Sequence, residues 1–298
     1  DKKITMKTKL TIRISGILIG LIGVTVKSVI SDMHPLTINF FRILFAFIFL
    51  LIFIPFIDKT TFKVKLKDFP HYILAGLLLS ITFATYILAL NYAPVSNVVL
   101  IASFAVVFVA IFAFIFLKEK LKFNQKIAIV IAIIGLSIIN PFNFNSTFFI
   151  GNLIALFNGV AYALLLVFMR SEERTHTIGS ILWFFLFATI FSLPFLFVGG
   201  IGDNFSKVLP FLVVLGVAST AIPYTLLAIA IKRLHVDTIS IINTLTVPLS
   251  SILFAVILLN EILNIRLIIG GSILLISGVV LHYIRKKHIK IIREQLHL

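Results

Sequence analysis

Ten runs of roughly 20 apolar residues divide this chain, at about 13–30, 36–57, 71–92, 97–117, 124–142, 149–170, 178–199, 208–231, 238–259 and 265–284. Each is bounded by charges, Pro or Asn, and each has the length that an α-helix needs to cross about 30 Å of hydrocarbon. Inside a bilayer a segment must satisfy its own backbone hydrogen bonds, and runs of this length do so as helices. The pattern predicts an all-α polytopic membrane protein with ten transmembrane helices. Of 298 residues, 60% are hydrophobic and 12% charged, against about 25% charged in a soluble domain. The connections are too short for a soluble domain, and the longest polar stretch between halves is Asn140-Pro141-Phe142-Asn143-Phe144-Asn145-Ser146-Thr147. The first run continues to Ile30 without a small-residue cleavage site, as a retained helix does.

A net charge of +15 invites comparison with nucleic-acid binders, so the placement of the basic residues decides. Lys2, Lys3, Lys7, Lys9 and Arg13 precede the first span, and Lys59, Lys63, Lys65 and Lys67 follow the second. Lys118, Lys120, Lys122 and Lys126 follow the fourth, Arg170 and Arg174 the sixth, Lys232 and Arg233 the eighth, and Arg285, Lys286, Lys287, Lys290 and Arg293 the tenth. Joints after odd-numbered spans hold only Lys207 and Arg266. The positive-inside rule then predicts a multi-pass protein of the cell (plasma) membrane with both termini cytoplasmic, and the charge serves orientation, not nucleic acid.

The stretch from Gly76 through Ala89-Leu90-Asn91-Tyr92, Glu119 and Gly135 returns from Gly216 through Ala230-Ile231-Lys232-Arg233, Glu261 and Gly278. Five spans per unit is an odd number, so the second copy enters the membrane in the opposite sense. The joint 118–126 is strongly basic while its counterpart 260–266 is nearly free of basic residues, as two inverted five-helix repeats require. The units expected are 1–142 and 149–284, with 285–298 as a basic cytoplasmic tail.

The chain resembles the EamA-type transporters of the drug/metabolite transporter superfamily over essentially its whole length. The residues that carry the resemblance are Gly23 and Lys27, Arg42, Ala89-Leu90-Asn91-Tyr92 and Lys118-Glu119-Lys120-Leu121, then Gly159, Ala230-Ile231-Lys232-Arg233-Leu234, Pro248 and Asn260-Glu261. The Gly that usually precedes the Glu is Lys118 in one copy and Asn260 in the other, and the proline of the fourth span is replaced near Val106. The resemblance implies a secondary carrier without a cofactor, often an exporter of amino acids, related metabolites or toxic compounds.

Polar groups far from both ends of a span either tie helices together or line a wet cavity. The substrate-binding candidates are Thr82, Tyr86, Ser103, Asn158, Tyr162, Thr220, Tyr224, Asn243 and Thr246, accompanied by Thr25, Thr85, Ser219, Thr244 and Ser250. They fall on the first, third, fourth, sixth, eighth and ninth spans, which leaves the other four for the lipid-facing periphery. Each Ser or Thr has the competing option of bonding a carbonyl one turn back in its own helix. Lys27 and Arg42 lie within the outer half of their spans. They either form an outer vestibule for an anionic group, or snorkel to the headgroups and pair with Asp32. Glu119 and Glu261 stand at the membrane boundary, where a carboxylate either locks a joint by accepting from helix N-terminal amides or takes part in gating. Pro223 and Pro248 free carbonyls within their helices, and Gly16 and Gly20 make a Gly-x-x-x-Gly face.

No His has a partner at metal-ligand spacing, and no Asp or Glu occupies the middle of a span. Neither a metal site nor a catalytic set is expected. The reading is a transporter of small organic solutes by alternating access, with lipid as its surroundings. The competing reading is a lipid-handling or scaffolding membrane protein, and an intramembrane enzyme is a weaker third.

Overall fold

The computed structural model describes residues 2–139, 142, 144, 147–171, 178–231 and 236–295. The helices are α1 (Lys2–Lys27), α2 (Pro35–Ile57), α3 (Phe69–Tyr92), α4 (Val95–Ala102), α5 (Ala105–Phe116), α6 (Phe123–Ile139), α7 (Phe149–Ser171), α8 (Ser180–Gly199), α9 (Phe205–Gly216), α10 (Ile222–Ile231), α11 (Val236–Leu259) and α12 (Ile265–Gln295). Among the described residues these make the ten spans. The fourth is α4 and α5 in series, and the eighth is α9 and α10 joined by the π-helical turn Val217–Ala221. Eight spans are long and apolar enough to cross a membrane, and two shorter apolar segments, Phe123–Ile139 and Ile265–Leu281, complete the set. Joint residues Pro141, Arg174, Lys232 and Arg233 lie outside the described residues, as do Leu296–Leu298 of the tail.

Both end helices run past their apolar spans, α1 upstream to Lys2 and α12 downstream to Gln295. Hydropathy marks where a helix meets lipid; it does not mark where backbone hydrogen bonding stops. The tail expected from 285 onward is thus a helical continuation as far as Gln295.

Proline explains the irregular eighth span. Pro223 has no N–H to bond the carbonyl of Ser219, and its ring crowds that carbonyl. The chain widens there into the π turn, where the Thr220 hydroxyl donates to Leu215 O at 2.8 Å and the Ser15 hydroxyl takes Pro223 O at 3.0 Å. Pro248, by contrast, sits buried inside a continuous α11.

Helix pairing is set by small residues. A Cβ at Gly16 would fall 2.8 Å from Thr246 Cβ, and one at Gly20 would collide with Ser250 Oγ. The Ser250 hydroxyl reaches Gly16 O and that of Ser251 reaches Gly20 O, both at 3.2 Å. The Gly-x-x-x-Gly face therefore seats α1 directly on α11. Elsewhere α3 packs on α7 and α8, α5 and α4 on α7, α10 and α9 on α1, and α2 on α8 and α9. The fifth and tenth spans, α6 and α12, pair chiefly with each other.

Two peripheral assignments fail. The seventh span, α8, buries Phe184, Phe185 and Ala188 in the core. The second span is not a lipid-facing outrider: α2 buries Thr37, Asn39 and Arg42 and contributes to both main core clusters. Few polar groups in a span is a weak sign of lipid exposure, because a single buried Arg outweighs several hydroxyls.

Candidate functional site

The centre of the bundle is built around Arg42. It lies about 11 Å inside α2, taking seven steps of roughly 1.5 Å from Pro35, and is 2% exposed. Its Nε donates to Thr220 Oγ1 at 2.9 Å, and its guanidinium carbon lies 3.9 Å from the centre of the Phe83 ring. The Thr220 proton is committed to Leu215 O, so its lone pairs are free to accept from Arg42. Gly216 makes the approach possible: a Cβ there would stand 2.8 Å from Arg42 O and 2.7 Å from Phe45 Cβ.

An aromatic wall surrounds the cation. Phe83, Phe185 and Tyr224 meet mutually, with centroids 6.1, 5.8 and 5.7 Å apart. Tyr224 and Tyr86 lie within electrostatic range of Arg42, and Tyr162 within range of Tyr224. Tyr162 is 38% exposed. It stands one turn from buried Asn158 and on the side of α7 opposite Leu153 and Phe157, so its exposed surface faces into the bundle. Residues 240–247 of α11 and 226–229 of α10 are half-buried as well. Of the expected residues, Thr220 bonds Arg42, Tyr86 and Tyr224 lie near it, and Tyr162 lies near Tyr224.

Other candidates serve the helix frame. Asn158 donates to Thr82 O at 2.6 Å and Thr85 Oγ1 at 3.0 Å, tying α7 to α3. The hydroxyls of Thr82, Ser103 and Thr246 bond Leu78 O, Val99 O and Ile242 O, each one turn back at 2.7 Å. Thr246 and Asn243 face Gly16 of α1. Asn243 Oδ1 is buried and has no hydrogen-bond partner among the described residues.

The paired acids sit on matched turns. Lys118 and Asn260 both take left-handed backbone, φ 55° and 53°, and the amides of Glu119 and Glu261 both return to carbonyls six residues back, Ala113 and Ala255, at 3.2 Å. Such turns favour Gly, which accounts for the Gly expected before each Glu. Glu261 accepts from Val95 N at 2.6 Å, Ser96 N at 3.0 Å and Ser96 Oγ at 2.6 Å. A carboxylate on a helix N-terminus was the expected geometry, but the helix is α4, 165 residues upstream and not the next in the chain. Glu119 lines a small cavity of about 30 Å³ with Val106, Gln125 and Leu281.

Lys27 and Arg42 have different neighbours. Lys27, half-buried at the end of α1, has Glu261 as its electrostatic partner. Asp32 is held by Lys207 at 3.1 Å and Asn204 at 3.0 Å. Among the described residues no three His, Asp or Glu side chains gather to hold a metal ion.

Asn39 was missed from sequence. It is fully buried on α2, three residues before Arg42 and on the same face, and neither amide atom has a hydrogen-bond partner among the described residues. Its position early in its span hid it.

The profile of the EamA-like transporter family matches this chain twice, over residues 6–140 and 149–284. A protein of Archaeoglobus fulgidus named as an uncharacterized transporter is 27% identical over 272 residues, 90% of this chain and 93% of that protein. Two S-adenosylmethionine uptake transporters, of Rickettsia bellii and Rickettsia felis, are 30% and 32% identical, each match spanning under half of either chain, 43–45%. A protein of known crystal structure superposes with a TM-score of 0.67 at 16% identity, covering 95% of this chain and 98% of that one, and shares its fold. Family and relatives are transporters and not enzymes. With both matches together spanning nearly all of its length, the chain belongs to the EamA-like transporter family, within the drug/metabolite transporter superfamily.

Proposed function

We propose that this transporter is a secondary carrier of amino acids or related metabolites, working by alternating access between two inverted five-helix units, 1–142 and 149–284. The observation that carries this is the pairing of its helix contacts. The packing of α1 on α11 has a counterpart in α7 on α4 and α5; that of α3 on α7, in α9 and α10 on α1; that of α3 on α8, in α9 on α2. The pairs α2–α8 and α6–α12 are their own counterparts. A pseudo-two-fold axis in the membrane plane generates this pattern, and a site on such an axis is reachable from either side by symmetric rearrangements. Arg42 and the three tyrosines lie where the two units meet.

The outer-vestibule reading for Lys27 and Arg42, and the joint-locking or gating reading for Glu119 and Glu261, belong to the same proposal. Basic joints support cytoplasmic termini and a plasma-membrane location. The absence of cysteine from the chain makes orientation directly testable. Single cysteines at Lys65 and Lys207 should label from opposite sides of the membrane with an impermeant maleimide, and labelling of both from one side refutes the topology.

Export is the direction the resemblance implies. The names of the two Rickettsia relatives favour the second reading, uptake. Reconstitution into liposomes with amino acids and S-adenosylmethionine inside or outside tests both. Flux of a solute establishes the carrier and its preferred direction. No flux and no ligand-dependent thermal stabilisation across the panel would instead favour a lipid-handling or scaffolding protein.

A further inference from the structure

We infer that Arg42 is a carboxylate receptor, and that the solute carried is a monocarboxylate with an apolar or aromatic body. This rests on the carrier reading and narrows its substrate class.

Arg42 is 2% exposed and its Nη1 has no hydrogen-bond partner among the described residues. Its guanidinium meets one neutral hydroxyl and one ring face. Neither neutralises the charge: a cation–π contact over Phe is a modest attraction, smaller than the desolvation cost of burying an ion without a counter-charge. A charge kept at membrane depth without an opposite partner marks a ligand pathway by default. The geometry says which edge is available. Thr220 occupies the Nε side, so the Nη edge of the fork remains for a planar, two-oxygen acceptor.

Two more buried polar groups lie close to these contacts along the chain. Asn39 sits one helical turn away on the same face of α2, and Ser219 precedes Thr220 in the π turn that Arg42 bonds. Asn39 is unpartnered at both amide atoms and Ser219 at its hydroxyl among the described residues, and both are fully buried. Three unpartnered polar residues around one helix contact exceed what a packed interior tolerates without use. A carboxylate at Arg42 Nη1 gives the cluster an acceptor and cancels its charge.

The charge count selects a monoanion. A phosphate dianion calls for a second cation, and the other basic residue of the outer half, Lys27, stands at the far end of α1 rather than in the Thr220–Phe83 contact of Arg42. Phe83, Phe185 and Tyr224, their rings tilted or edge-on to one another, supply an apolar aromatic cluster against the guanidinium through Phe83, suited to the body of the solute.

The test uses the full chain purified in detergent, with L-phenylalanine, L-methionine and phenylacetate compared against their amides by thermal unfolding, and the same pairs in proteoliposome flux. At least one acid should stabilise and be carried at least tenfold better than its amide. Arg42→Gln should abolish that preference, and Arg42→Lys, which keeps charge but loses the fork, should keep part of it. Should Arg42→Gln fail to fold, Asn39→Ala and Ser219→Ala take its place, each weakening acid binding threefold or more without affecting amides. Acids and amides handled equally, no response to any acid, or variants that leave the preference intact overturn the inference. Flux of other solutes on the wider panel would then leave the carrier reading standing, whereas no flux of any solute removes both.

Discussion

Replacing Glu261 by Ala removes a carboxylate that joins the two halves of the chain. Both oxygens are used: Oε1 accepts from Val95 N at 2.6 Å, and Oε2 accepts from Ser96 N at 3.0 Å and Ser96 Oγ at 2.6 Å. Pro94 precedes α4 and offers no side-chain cap of its own, so Glu261 is the cap. Hydrogen bonds to a charged group are worth about 1.5–3 kcal/mol each, and a carboxylate at a helix N-terminus adds about 0.3–1 kcal/mol. Val95 and Ser96 are 0% and 1% exposed, so their amides gain little water when the cap is lost. Glu261 itself is half-buried, which screens the charge and lowers the total. The expected loss for Glu261→Ala is about 3–4 kcal/mol, below the simple sum because bonds to one carboxylate are not additive. Glu261→Gln keeps one acceptor and should lose about half as much. Ser96→Ala removes only the hydroxyl and should cost about 1 kcal/mol. Reversible unfolding in mixed micelles, with the Glu261→Ala and Ser96→Ala pair closed into a double-mutant cycle, measures all of these. A loss under 1 kcal/mol for Glu261→Ala, or strict additivity in the cycle, refutes the cap.

Lys118→Gly should stabilise by about 0.5–1 kcal/mol, because a side chain at φ 55° is strained and Gly is not. Asn260→Gly, at φ 53°, should gain only a few tenths because Asn tolerates this region. Equal gains, or losses at both sites, in thermal unfolding would contradict the left-handed turns. Gly20→Ala places a methyl on Ser250 Oγ and should destabilise by about 1–3 kcal/mol. Adding Ser250→Ala should recover part of that loss, and no recovery would mean that α1 and α11 do not meet there.

Much of the frame was legible in the chain because its signals are local. A span is a run, a close helix contact is two glycines four apart, and a freed carbonyl lies one turn before a proline. Gly16, Gly20 and Pro223 could be read this way, since each acts through its own missing atoms. The displaced glycines at Lys118 and Asn260 also made sense once both turns showed positive φ.

Long-range partners were not legible. Asn158 could have lined a cavity or tied two helices, and hydrogen bonds to Thr82 and Thr85 on α3 decide for the tie in this structure. Glu261 was expected at a helix start, yet nothing local named α4. The amino-acid order alone determined that this chain crosses a membrane as helices, with basic joints, duplicated features and a family identity, because backbone hydrogen bonding in hydrocarbon and hydropathy act over neighbouring residues. Only the tertiary structure decided that Arg42 lies buried beside Phe83 and Thr220 with Asn39 on its face, since Thr220 stands 178 residues away and no periodicity encodes that meeting.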